Sequence, residues 1–105
     1  MPVTTTQRSL ANLRERGYLP WIVEIWNPYT HTKRDLYGFL DIVAVKPDVV
    51  GVLGIQTTTV SNLRARIKKA MGIEAIKWWL LAGNRVEFHG WKKVNNRWIA
   101  DIVDF

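Results

Sequence analysis

The sequence predicts an α/β protein whose mixed central sheet is flanked by helices. Apolar side chains recur at helical spacing in three segments, and five short runs rich in β-branched or aromatic residues have the pattern of strands. Of the 105 residues, 48% are hydrophobic and no low-complexity run interrupts them. Residues 1–105 are therefore expected to fold as one domain around a single core. The predicted order is helix, three strands, two helices and two strands (αβββααββ).

Residues 5–16 are predicted to form the first helix, with an N-cap offered by the threonines at its start. Two leucines share its apolar face, and Glu15 falls nearly opposite to them, so Glu15 is interpreted as solvent-exposed. Residues 21–26 are predicted to form the first strand. Glu24 alternates there with apolar neighbours, which favours a solvent-side position over a supporting role in a site.

Residues 27–35 form the longest irregular stretch of the sequence, and loops of this kind often carry functional side chains. Asp35 and Asp41 have the same parity, so an extended chain would place both carboxylates on one face. A bulge at Gly38 would break that relation.

The central part of the chain is predicted to contain two buried strands, over residues 38–45 and 52–58, joined by a turn at residues 46–51. Asp41 lies inside the first apolar run and Gln56 lies at the end of the second. A carboxylate in an apolar strand needs a partner, a metal ion or a water-filled cleft. Pairing of Asp41 with a nearby arginine or lysine is the alternative to a functional site.

The second half is predicted to continue with helices over residues 63–71 and 73–81. Strands over residues 85–91 and 97–105 follow, joined by a turn at Asn95-Asn96. The six tryptophans fall within these elements or the first strand, where large aromatic side chains usually pack into the core. Trp26 and Trp91, at strand ends, are the best candidates for stacking on nucleic-acid bases.

The chain carries 15 Lys and Arg against 9 Asp and Glu, a formal net charge of +6. This excess favours a polyanionic partner, with a generically basic surface as the alternative. The densest positive cluster lies on the outer face of the helix that follows the Gln56 strand, and two further cations precede Asp41. The expected phosphate contacts are Arg64, Arg66, Lys68, Lys69, Lys33 and Arg34.

The sequence has no cysteine, which excludes disulfides and thiolate metal sites. It contains no apolar stretch long enough to span a membrane and no apolar region typical of a signal peptide. The protein is accordingly expected in the cytoplasm, without a membrane partner.

Asp41, a hairpin, and Gln56-Thr57-Thr58 at the end of an apolar strand together resemble the core of the PD-(D/E)XK nuclease superfamily. The similarity covers roughly residues 35–91 and is nearest to small Holliday-junction-resolvase-like and phage-type members. It implies a restriction-endonuclease-like three-layer core. It also implies that a metal ion is held by Asp41, Gln56 and the backbone carbonyl of Thr57, with Asp35 as an additional ligand.

Two positions depart from the pattern of that family. Gln56 stands where glutamate is commoner, which weakens metal binding by one charge. Thr58 stands where a catalytic lysine is expected, which removes the usual partner of the attacking water. The side chain of Arg66 or Lys69 is one candidate to supply the positive charge of that lysine from another position in the sequence.

The resemblance implies a Mg²⁺- or Mn²⁺-dependent endonuclease that hydrolyses DNA, with branched or junction DNA as one candidate substrate. Its catalytic set would be Asp41, Gln56 and Thr58, and related resolvases imply a homodimer. The alternative is a catalytically degenerate domain that binds nucleic acid without cleaving it. A structural or protein-interaction domain is the third hypothesis, and it requires Asp41 to be ion-paired.

Overall fold

The computed structural model of the protein describes residues 3–105 and contains a five-stranded mixed sheet with three helices. The helices are α1 (Thr5–Glu15), α2 (Val60–Met71) and α3 (Glu74–Leu81). The strands of the main sheet are β1 (Leu19–Ile22), β4 (Ile42–Val45), β5 (Leu53–Thr59), β6 (Arg85–Val94) and β7 (Arg97–Asp104). The remaining strands, β2 (Ile25–Asn27) and β3 (Thr32–Arg34), form a separate hairpin.

The main sheet has the strand order β1-β4-β5-β6-β7. Its neighbouring strands are antiparallel except for β5 and β6, which are parallel and connected through α2 and α3. Ile42 pairs with Ile55 between β4 and β5, and Gln56 pairs with Phe88 between β5 and β6. The predicted α/β class with a mixed sheet is confirmed.

Apolar side chains cover both faces of this sheet, so the interior consists of two clusters. Leu10 and Leu13 of α1 pack on one face, because they meet the inward side chains of β4 and β5. Leu63 and Ile76, from α2 and α3, pack on the opposite face. The strands at the middle of the sheet are therefore buried on both sides, which explains their continuous apolar runs.

The first predicted strand is divided in the structure. Residues 21–26 contribute to β1 and β2, which belong to different sheets, and Glu24 lies between the two strands. The stretch predicted to be irregular contains the turn of the β2–β3 hairpin, in which the Asn27 side chain accepts a hydrogen bond of 2.9 Å from the Tyr29 backbone N–H. With this hairpin set aside, the elements follow the predicted order along the chain.

The second predicted strand begins later than expected, at Ile42 rather than at residue 38. Residues 36–40 form a tight turn that is closed by a 2.9 Å bond from the Leu36 N–H to the Leu40 carbonyl. Tyr37 and Gly38 adopt positive φ values of 56° and 81° in this turn. The turn, and not an extended strand, brings Asp35 back toward Asp41.

The expectation that most tryptophans are core residues is wrong. Trp21, Trp26, Trp78 and Trp98 are all exposed. Trp91, in contrast, is buried and its indole N–H donates to Ser9 Oγ at 2.9 Å, so it cannot stack on a base. None of the helices within residues 3–105 is long and apolar enough to cross a membrane.

Candidate metal centre and nucleic-acid interface

A polar pocket of about 380 Å³ opens where β5 ends. The last residues of β5, Thr57 to Thr59, form one wall, and Thr5 and Thr6 in the first turn of α1 form another. Thr59 is also the N-cap residue of α2. Two helices therefore begin at the pocket, and the partial positive charge at their N-termini favours an anionic ligand.

Three carboxylates converge in this pocket. Oxygen atoms of Glu24, Asp35 and Asp41 all lie within 4.8 Å of one another. Asp41 is fixed on the sheet because its backbone N–H donates to the Ile55 carbonyl at 2.9 Å. The Thr57 backbone N–H in turn donates to Asp41 Oδ2 at 2.9 Å, which orients the carboxyl group.

Asp35 and Glu24 reach the pocket by different routes. The turn over residues 36–40 returns the chain so that Asp35 faces Asp41. Glu24 is held by its neighbour Val23, whose backbone N–H donates to the Asp41 carbonyl at 2.9 Å. Lys33, on β3, lies with Nζ 3.2 Å from Glu24 Oε1 and compensates part of the negative charge.

The electrostatic environment opposes ionisation of Asp41. The pKa of Asp41 is raised to about 8, mainly by burial of the side chain and in part by the neighbouring Asp35 and Glu24, and the Thr57 N–H opposes this effect. A cation between the three carboxylates would relieve this repulsion. Carboxylate oxygens are the hard donors that Mg²⁺ and Mn²⁺ prefer, so the residues present fit such an ion.

The predicted metal ligands and the predicted catalytic residue Thr58 differ in their relation to the pocket. Asp35, Asp41, Thr57 and Thr58 line it. Gln56 is buried and does not line the pocket, although extension of the β4–β5 register by one residue places it opposite Asp41. Its Oε1 atom is buried and has no hydrogen-bond partner within residues 3–105.

The predicted phosphate contacts separate into two groups. Lys33, Arg66 and Lys69 line the pocket together with the carboxylates, and Arg34 lines an adjoining groove that Lys33 and Lys69 share. Arg64 and Lys68 are exposed on α2 and line neither space.

Glu24 is the site residue that the sequence interpretation placed on the solvent side, and that interpretation is wrong. The Glu24 side chain is only 14% exposed and its carboxylate belongs to the acidic cluster. The signal was present in the sequence, because Glu24 interrupts an apolar run in the same way as Asp41 does. Glu15, in contrast, is exposed as predicted.

A buried hydrogen-bond network supports β5 from the side of α1. Ser9 Oγ donates to Thr57 Oγ1 at 2.9 Å and lies 2.8 Å from His89 Nδ1, and His89 Nε2 lies 2.9 Å from Glu87 Oε1. Arg16 closes the network with bonds of 2.8 and 2.7 Å to the Glu87 carboxylate. Ser9 and His89 are fully buried, so this serine–histidine–glutamate set supports the fold and has no access to a substrate.

The charge state of Glu87 depends on the same network. Burial by itself would raise the pKa of Glu87, but the hydrogen bonds from Arg16 and His89 outweigh it and lower the pKa to about 2. Glu87 and His89 are buried like the apolar residues that alternate with them on β6, because α1 covers their face of the sheet.

Comparison with known proteins finds no family model, no curated protein and no solved structure that matches this chain.

Proposed function

We propose that the protein is a Mg²⁺- or Mn²⁺-dependent endonuclease that hydrolyses DNA phosphodiester bonds. The observation that carries this proposal is the convergence of Glu24, Asp35 and Asp41 in a pocket that Arg66 and Lys69 also line. Carboxylates that can hold a divalent cation, next to side chains that can hold a phosphate, are the combination that phosphodiester hydrolysis requires. The similarity of the central segment to PD-(D/E)XK nucleases, and a restriction-endonuclease-like core, are part of this proposal.

The three carboxylates would hold the ion, and the Thr57 N–H keeps the Asp41 carboxyl aimed at it. When bound, a divalent cation lowers the pKa of a water molecule and neutralises charge on the phosphate. The guanidinium of Arg66 and the ammonium of Lys69 would bind the non-bridging phosphate oxygens. The N-termini of α1 and α2 add backbone N–H groups on the same side of the pocket.

The lysine that the nuclease pattern expects at position 58 is replaced by Thr58, which lines the pocket but carries no charge. We propose that Lys69 supplies this cation from α2, because it is the lysine of the basic helix that lines the pocket with the carboxylates. Lys33 is less suited to this role since it already pairs with Glu24.

A second candidate function is a domain that binds nucleic acid without cleaving it. The raised pKa of Asp41 favours this alternative, because a carboxyl group that holds a proton at neutral pH binds a divalent cation weakly. The cationic lining of the pocket would serve both functions.

The test is cleavage of labelled single-stranded, duplex and four-way-junction DNA in the presence of Mg²⁺ or Mn²⁺. Asp41→Asn removes the central carboxylate, and Asp48→Asn, at an exposed aspartate of the β4–β5 connection, is the matched control. Cleavage that disappears only in Asp41→Asn supports the nuclease. Salt-sensitive binding without cleavage, unchanged in both variants, supports the binding domain. A protein that neither binds nor cleaves any of these DNAs refutes both functions.

A further inference from the structure

We propose that a second groove beside the candidate metal centre binds an unpaired nucleobase, so that the substrate is a nucleic acid with a single-stranded segment next to the cleaved phosphate. This inference rests on the proposed nuclease function and specifies its substrate. The groove has a volume of about 520 Å³ and lies between α3 and the turn over residues 36–40. We call it the aromatic groove, and its principal side chains are Tyr37, Trp78, Trp79, Glu74 and Asn84.

The aromatic groove presents large ring surfaces to solvent. Trp78 is 73% exposed and Tyr37 is 59% exposed, although both are side chains that a fold gains from burying. Two exposed aromatic side chains that share one groove indicate a ligand-binding surface, because neither side chain is used to pack the core.

The rings that form the floor of the groove are held in place. The Trp79 indole N–H donates to the Arg85 carbonyl at 2.8 Å, and Tyr37 packs edge-on against Trp79 with ring centroids 6.3 Å apart. Tyr37 is also fixed by the tight turn in which it adopts a positive φ. A planar ligand would therefore stack on a preformed floor, and the exposed ring of Trp78 would cover the other face of the ligand.

Charged side chains connect the aromatic groove to the carboxylates. Tyr37 also lines the groove that contains Lys33, Arg34 and Lys69, together with the carboxylate of Asp35. Lys33 and Lys69 line the polar pocket with Asp41 as well. A path of carboxylates, then cations, then aromatic rings thus runs over the surface, and it matches the order of a scissile phosphate, its flanking phosphates and a base.

The chemistry of the groove favours a base over a phosphate. Its lining is mainly apolar, and Glu74 would repel a phosphate while its carboxylate can accept a hydrogen bond from an exocyclic amino group. Stacking on aromatic side chains tolerates every base, since each has a π-face. The base must be unpaired, because the faces of a base inside a duplex are covered by its neighbours.

The experiment measures binding of fluorescently labelled oligonucleotides by anisotropy in EDTA, which prevents cleavage. The three probes are a single strand, a strand of equal length and charge in which the bases are replaced by abasic sites, and a blunt duplex. The variants are Trp78→Ala and Trp78→Phe. The control is Trp21→Ala, because Trp21 has the same exposed fraction of 73% but lies on β1, outside both grooves.

We expect Trp78→Ala to weaken binding of the single strand by about tenfold, as the loss of one stacked base does. Trp78→Phe should retain part of that affinity, and Trp21→Ala should retain all of it. Removal of the bases should weaken binding of the wild type by at least about tenfold and should weaken binding of Trp78→Ala clearly less, because the variant keeps only the floor of Tyr37 and Trp79 for stacking. The duplex should respond to neither tryptophan substitution.

Equal affinities of Trp78→Ala and Trp21→Ala for the single strand would overturn the inference, as would wild-type binding that is unaffected by abasic sites. A dimer that Trp78→Ala dissociates, with oligonucleotide affinity unchanged, would overturn it too and assign the groove to a second copy of the chain. In these cases the proposed function would still hold if all three probes bind in a salt-sensitive way and if Lys69→Gln weakens that binding. Absence of binding to every probe would overturn both.

Discussion

Asp41→Asn is expected to stabilise the metal-free protein and to remove its response to divalent cations. The substitution keeps the size of the side chain, and the new amide carbonyl can still accept the hydrogen bond from the Thr57 N–H. Its NH₂ group can donate to Asp35, which shares a hydrogen bond with the protonated Asp41 carboxyl. The variant thus retains the contacts of the neutral carboxyl and removes its ionisation.

The size of the effect follows from the pKa of Asp41, which is about 8 in the fold against 3.8 for an ordinary aspartate. One pH unit corresponds to about 1.4 kcal/mol, so holding this carboxyl neutral at about pH 7 costs at most about 4 kcal/mol of folding free energy. Relaxation and water penetration reduce such penalties in real proteins, and we expect a net gain of about 2 kcal/mol. For a domain of this size, that gain raises the Tm by about 10 °C.

The dependence on pH has a definite sign. The folded state binds the Asp41 proton more tightly than the unfolded state, so the contribution of this group to stability is complete below about pH 4 and is lost as the pH rises toward about 8. The stability advantage of Asp41→Asn over the wild type should therefore grow across this range. Mg²⁺ must displace the same proton, so the stabilisation of the wild type by Mg²⁺ should also increase with pH.

Urea denaturation of the wild type and Asp41→Asn at about pH 5 and about pH 8, with EDTA or with Mg²⁺, measures both effects. Asp48→Asn is the control, because it removes an exposed carboxylate from the β4–β5 connection. The reasoning is refuted if Asp41→Asn is less stable than the wild type at the higher pH in EDTA. It is equally refuted if Mg²⁺ stabilises both proteins to the same extent.

The remaining predictions concern the core, the buried network and the missing lysine. Gly54→Ala should lower the free energy of unfolding by about 1–3 kcal/mol in urea titrations, because an added Cβ would lie 2.5 Å from the buried Leu40 Cδ2. Glu87→Gln should cost about 3 kcal/mol near neutral pH, because it removes the buried carboxylate that pairs with Arg16 and is hydrogen-bonded to His89. Between about pH 4.5 and about pH 2 the wild type should lose the stability that Glu87 provides, because its pKa is lowered in the fold, whereas Glu87→Gln should not lose it, as acid titrations by circular dichroism would show. If Lys69 replaces the missing lysine, Lys69→Gln should reduce cleavage by about 10²-fold and Thr58→Lys in that background should restore part of it, whereas equal cleavage by all three proteins would exclude that role.

The interior of the protein could be predicted from its sequence because burial leaves a pattern in it. The strands at the middle of the sheet are covered on both faces, and their long apolar runs mark them. Asp41 could be identified for the same reason, as a carboxylate that interrupts such a run. The tight turn over residues 36–40 escaped prediction because its residues continue the apolar run, while Tyr37 adopts a positive φ that tyrosine seldom favours.

Elements and side chains at the surface were harder to predict, because they leave a weaker hydrophobic pattern in the sequence. β2 and β3 are three-residue strands in which every side chain is exposed, so no hydrophobic period marks the hairpin. Glu24 differs from its predicted solvent-side position because the chain leaves the main sheet within residues 21–26, so the alternation of one continuous strand does not apply there. The exposed tryptophans differ from prediction because the size and hydrophobicity of tryptophan alone favour a core position. In this domain of 105 residues, other apolar side chains fill the core.

Three departures from ordinary folding rules lie close together, and this strengthens the case for a functional surface. Asp41 is a buried carboxyl beside two others, and Gln56, opposite to it, has a buried oxygen without a hydrogen bond. Trp78 leaves most of its ring in water on the far side of the cationic groove. The buried carboxyl of Asp41 and the unpaired oxygen of Gln56 each cost stability, and the exposed ring of Trp78 contributes little to it. Selection for folding alone would not favour these three features in adjoining parts of the structure, whereas selection for binding a metal ion, a phosphate and a base would.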